Sequence, residues 1–220
     1  MKNPDDEFIS QKVIITGTEY DAMRWLVLNT NISLSAILLT LHQHIIKRSF
    51  PERNYLQLVR VDGRERVIDE FDVTRVLGMI ANSIPLSVHS EKKLSHDMIF
   101  NVYIAYCNAR LHQHVPYEVI RKDYKNQKNE DINTYIAGLF NYVALEHEER
   151  IYDQSDNLKT NFKIQKKKYA KTEKAINLYC VLYKNSLEIE MTCKQSIYEN
   201  NKTQLNLNTL VKKELMIALS

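Results

Sequence analysis

The stretch AINLYCVLYKNSLEIEMTC, residues 175–193, restricts the fold of this chain more than any other. Ile176, Leu178, Cys180 and Leu182 recur at every second position, and so do Leu187, Ile189, Met191 and Cys193, against Asn177, Tyr179, Glu188 and Glu190. A period of two puts alternate side chains on opposite faces of a strand, so these runs predict a hairpin across Lys184-Asn185 with one buried face. A lone hairpin is marginal in water and needs further strands or helices to cover its apolar side.

The rest of the chain supplies them. In SLSAILLTLHQHIIKRS (33–49), Leu34, Ile37, Leu38, Leu41 and Ile45 fall at helical spacing, and Lys47 and Arg48 close the last turn where the helix dipole favours cations. Ser95 is a candidate N-cap for a second helix whose stripe is Leu94, Met98, Val102, Ala105 and Ala109. TEYDAMRWLVLN predicts another, capped by Thr18, and a last amphipathic helix includes Leu207, Leu210, Val211 and Leu215. KVIITG (12–17), YLQLVRV (55–61) and AGLFNYVAL (137–145) read as strands, with irregular chain from Asp62-Gly63 to IANSIPLSV (80–88). Helices mixed with a largely antiparallel or mixed sheet make an α/β two-layer sandwich. At 220 residues the expectation is one domain spanning 1–220.

Several functions lose their support at this level. A net charge of +3 is too small to mark a nucleic-acid or membrane surface. The lysines at 159, 163, 166, 167, 168, 171 and 174 have few aromatic side chains among them, Phe162 and Tyr169, so a solvated loop, open to an acidic partner protein, is expected. Cys107, Cys180 and Cys193 form no C-x-x-C pair and read as core residues. No apolar run reaches the roughly 18 residues of a membrane helix, and MKNPDDEFIS is no signal peptide, so a cytoplasmic protein is the expectation.

Imidazole chemistry needs a geometric test. His42 and His44 stand two apart in a helix and point to different faces, so they cannot jointly grip one metal. His112 and His114 flank the end of the helix begun at Ser95, because Pro116 lacks a backbone donor and restricts Val115 before it, while fitting the first turn of a new helix, PYEVIRKDY. EHEER (146–150) fails as a zinc-protease motif because position 151 is isoleucine. Four glycines, without Gly-x-Ser-x-Gly or a phosphate-binding loop, leave no catalytic and no metal-ligating residue to assign.

In order along the chain, VDGRE (61–65), VLGMIANSIPLSV (76–88), LHQHVPYEVI (111–120) and LFNYV (139–143) resemble the second half of a nonribosomal peptide synthetase condensation domain, from about Ile9 to the end. That resemblance implies one lobe of a chloramphenicol acetyltransferase-like fold, in a family whose two lobes join a thioester to an amine in the cleft between them. By resemblance, Gly63, Arg64, Gly78, Asn82 and Ser83 line the cleft or the crossing between lobes. Ser83 replaces a usual threonine and Ser87 a usual arginine. His112, Gln113, Pro116 and Glu118 match the family's His-Gln motif as structural markers of a helix end and turn, with His114 where aspartate is common and Tyr117 where phenylalanine is common. RKDYKNQKNE reproduces the following arginine-rich motif poorly, and 146–174 falls where the family extends an arm onto its first lobe, so that segment is expected to be mobile or captured by a neighbour.

The family's catalytic signature, His-His-x-x-x-Asp-Gly, belongs to the first lobe, and this sequence has no adjacent pair of histidines. The resemblance therefore implies the C-terminal half of an amide-forming domain, inactive without an N-terminal lobe that supplies the histidine. Its implied partners are that missing lobe or another synthetase component and a carrier protein, with no nucleic acid and no membrane. It binds no cofactor directly and meets only the phosphopantetheine arm of the carrier. The alternative is a noncatalytic module that docks a carrier protein or synthetase; self-association is a further option. A self-sufficient acetyltransferase working as an oligomer would need the histidine signature that is absent.

Overall fold

The computed structural model describes residues 7–62, 81–88, 93–145, 162–168 and 174–215. Strand β1 (Glu7–Thr16) leads into helices α1 (Gly17–Thr30) and α2 (Leu34–Ser49), then strands β2 (Leu56–Val61) and β3 (Asn82–Ser87). Helices α3 (His96–Arg110) and α4 (Tyr117–Lys128) follow, with a 3-10 turn at Ile132–Tyr135 before strand β4 (Ile136–Leu145). Strand β5 (Phe162–Lys168), the hairpin β6 (Ile176–Tyr183) and β7 (Ser186–Lys194), and short helices α5 (Gln195–Asn200) and α6 (Leu207–Thr209) complete it.

The seven strands form one sheet in the order β3-β2-β4-β6-β7-β1-β5. The β2–β4 and β4–β6 pairs are parallel and the other four antiparallel. Parallel neighbours need long crossovers; α3 and α4 lie on the one from β2 to β4, and α2 and α3 pack against the sheet, which gives the mixed two-layer sandwich that the patterning implied. The hairpin turns at Lys184-Asn185 with Leu182 opposite Leu187, and its alternating apolar residues are all buried.

Helix α2 is the spine of the core. Ser33 caps it by accepting from the Ala36 amide, and Leu34 and every residue from Ala36 to Ile46 are buried. Ser95 caps α3 by accepting from the Met98 amide, which sets Met98 and Val102 into the same core. Two polar side chains order the C-terminal segment against the sheet. Gln11, wholly buried on β1, donates to the Leu205 carbonyl at 2.8 Å and accepts from the Leu207 amide at 2.9 Å. Glu214 accepts from His44 at 3.1 Å and from Arg48 at 2.6 Å.

Some expectations need correction. Helix α1 begins at Gly17, with Thr16 rather than Thr18 in the capping position, because Gly17 adopts a left-handed φ of 59° that turns the chain out of β1. The predicted C-terminal helix is a short α-turn that widens into a π turn at Leu210–Leu215, although Leu207, Leu210, Val211 and Leu215 are buried as expected. The lysine run is not a loop over 162–168. Those residues form β5, paired antiparallel with β1 from Glu7↔Lys168 to Val13↔Phe162. Lysine is common on edge strands because it discourages pairing with another chain. The same pairing corrects the expected mobile arm for 162–168; 146–161 and 169–173 lie outside the described residues.

Candidate functional site

Strands β2 and β4 run side by side only as far as Val59↔Phe140. Beyond that point β4 stays with β6 to Leu145↔Tyr183, while β2 stays with β3 to Val61↔Asn82. The two pairs diverge, and a cavity of about 650 Å³ opens between them, walled by Arg60, Tyr106, Arg110, Gln113, Asn141 and Tyr142 among others. It lies at the carboxyl ends of two parallel strands, where open α/β sheets place their ligand sites.

Asn82 fixes one wall. Its Nδ2 donates to the carbonyls of Gln113 at 2.8 Å and Val115 at 2.7 Å, and its Oδ1 accepts from the Tyr117 amide at 3.1 Å. One side chain thus joins the first residue of β3 to the turn between α3 and α4. In that turn His112 and Gln113 donate back to Ala109 and Arg110, Val115 donates to His112, and Val119 and Ile120 donate to Pro116. The His-Gln segment is a helix end and a helix start, as Pro116 dictates. Gln113 is buried and faces the cavity, whereas His112 and His114 are exposed. Glu118 pairs with Arg121 at 3.3 Å on the outer face of α4. Arg121 also grips Asp131 at 2.7 Å, and that hydrogen bond holds the Asp131 carboxyl down at about 2.

Of the residues singled out in the sequence, the structure brings Asn82, Ser83 and Gln113 to this one corner, while Pro116 and Glu118 belong to the adjoining turn and helix. Gly63, Arg64 and Gly78 lie outside the described residues. Arg60 and Arg110 were not anticipated. The signal for Arg60 was a single cation inside the apolar run LQLVRV, directly before Asp62.

A second polar cluster is buried away from the cavity mouth. His42 is fully buried and stacks on Phe140, with its Nε2 3.2 Å from the Ile176 carbonyl, which makes Nε2 the protonated nitrogen. Burial pushes its pKa down to about 4, against the opposing pull of the Ile176 carbonyl and the Gln57 amide. His44, on another face of α2, is lowered as well, by burial first. The folded pKa of His42 lies below its unfolded value near 6.5, so its contribution is intact above pH 6.5 and disappears as pH falls toward 4. Urea denaturation across that window is expected to show a loss of about 3 kcal/mol. The His42 ring protons should keep neutral NMR shifts down to about pH 5. A ring that titrates near 6.5 would contradict the burial.

Among the described residues no group of three or more His, Cys, Asp or Glu side chains could hold a metal ion. No single helix there is long and apolar enough to cross a membrane; α1 and α2 are apolar over a comparable joint length but turn by 107° between them.

A family model for the condensation domain matches residues 2–216. The chain belongs to the condensation-domain family. Its fold is similar to the epimerization domain from the third module of tyrocidine synthetase B, with a TM-score of 0.70 at 16% identity, over 99% of this chain and 50% of that one. It is also similar to the condensation domain of the monacolin K polyketide synthase MokA (TM-score 0.66, 12% identity, 96% and 47% covered). A third is VibH, a nonribosomal peptide synthetase condensation enzyme (0.60, 14%, 96% and 50%). No match was found among curated proteins. This member of the condensation family spans about half the length of these three solved chains. The link to biosynthetic enzymes of the nonribosomal peptide type is therefore one of family and fold.

Proposed function

We propose that residues 1–220 form one domain equivalent to the C-terminal lobe of a condensation domain, and that it makes amide bonds only when an N-terminal lobe supplies the catalytic histidine. The observation that supports this most directly is one of size: nearly all of this chain superposes on half of each larger relative. The sequence adds that no adjacent histidine pair is present. In the reaction, the amine of one substrate attacks the thioester carbonyl of the other. A C–N bond forms, the C–S bond breaks, and the amine proton passes by way of a base to the departing thiolate. A positioned general base is worth roughly 10²–10⁴ in rate, and orientation adds to that only if the base is present. The chain's own contribution is the wall built by Asn82, Ser83 and Gln113, against which a carrier protein's phosphopantetheine arm would be laid.

The test is to mix the purified chain with a first lobe carrying His-His-x-x-x-Asp-Gly and measure amide formation from carrier-bound substrates. Turnover is expected to rise at least a hundredfold over either part alone. Turnover by this chain without a companion, or no gain on mixing, overturns the reading. Saturable binding of a loaded carrier with no turnover under any pairing would favour a noncatalytic docking module.

A further inference from the structure

We propose that the cavity between the diverging strands receives a carboxylate, with Arg60 as its receptor, so that one of the substrates carries a free acid group. This assignment of substrate class rests on reading the chain as a cleft wall.

Strand β2 buries Gln57, Leu58, Val59 and Val61, and leaves Arg60 exposed on the cavity wall. Arg60 Nη1 donates to Ser83 Oγ across a long 3.4 Å, and among the described residues no carboxylate forms an ion pair with it. Most of its five donors thus have no partner among the described residues. Arg110 also lines the cavity, with its guanidinium 5.5 Å from the Tyr106 ring centroid, a cation–π contact that restricts its orientation. Asp62 is the one acid on the lining against these two arginines. Arg110 and Asp62 both engage other groups, so Arg60 carries the inference.

A guanidinium is a planar fork that matches a carboxylate with two parallel hydrogen bonds, and a partly enclosed wall screens the pair less than bulk water does. Aromatic side chains lining the same cavity, Tyr106 and Tyr142 among them, suit a ligand whose acid group is attached to a flat apolar body.

The experiment titrates the purified chain with benzoate, benzamide and benzylammonium, followed by NMR shifts of the arginine side chains. Benzoate is expected to bind at least tenfold more tightly than benzamide, because a charge-assisted pair exceeds a neutral hydrogen bond by about that factor. Arg60→Gln should abolish the preference with an unchanged melting temperature, and Arg60→Lys should keep part of it. Equal binding of benzoate and benzamide, a preference for benzylammonium, or no binding of any of the three overturns the proposal on the unmodified protein alone. No first lobe is used, so a failed pairing experiment and a failed carboxylate site give separate signatures.

Discussion

Gly138→Ala is expected to destabilise the protein by about 3 kcal/mol or more, at the upper end of what an added methyl does in a packed interior. Gly138 faces Ile176 across the β4–β6 ladder and has the His42 ring lying against it. A Cβ at this position would drive into the Ile176 carbonyl oxygen, well inside contact distance, and would stand 2.8 Å from both Cε1 and Nε2 of His42. Neither neighbour can step aside. The carbonyl belongs to a central strand, and the ring is pinned between that carbonyl and Phe140 with no exposure to solvent. Urea denaturation of the variant gives the number, and His42→Ala and the double variant complete the cycle. The double variant should recover the share due to the ring and retain the share due to the backbone oxygen. A Gly138→Ala protein within 0.5 kcal/mol of the parent would mean that β4 and β6 are not in this register.

That glycine shows where the sequence stops being legible. The hairpin of β6 and β7 could be read in full because alternation is a local property and its turn joins neighbours. Ser95 could be read as a cap for the same reason, since it bonds an amide three residues on; Ser33 caps α2 in the same way and carried the same unread signal. In AGLFNYVAL, by contrast, the glycine looks like a defect in a strand, since the groups that demand it are His42 and Ile176, far away in sequence. The candidate site has the same origin. Its cavity arises where β2 parts from β4, a consequence of strand order that no local spacing encodes, and so Arg60 passed for an ordinary strand cation. KIQKKK hid β5 because lysine is a poor strand former by composition; the register with β1 supplies what propensity lacks. Asn82 and Gln113 were found by resemblance, but the bonds that unite them became visible only with the turn in place.

Asn82→Asp tests that union most severely. The two side chains have the same shape, and they differ at the atom that matters. Asn82 Nδ2 donates to two carbonyl oxygens at 2.7 and 2.8 Å, so a carboxylate there would set a charged oxygen against both. A loss of about 3 kcal/mol is expected at pH 7, made up of two missing hydrogen bonds and the repulsion. Asn82→Ala should lose less, because it forfeits the bonds without adding the charge. The difference between the two variants should shrink as pH is lowered. The carbonyl oxygens raise the folded pKa of the new acid above its unfolded value, so the protonated form is favoured in the fold, and the variant loses stability as pH rises through that folded value. Because both variants keep His42, its own acid instability cancels in the comparison. The turn that Asn82 holds also places Gln113 on the cavity wall, so benzoate affinity should fall in Asn82→Asp even at temperatures where the variant is fully folded. If Asp and Ala prove equal at every pH, the side chain at 82 does not face the two carbonyls, and the wall of the cavity must be built some other way.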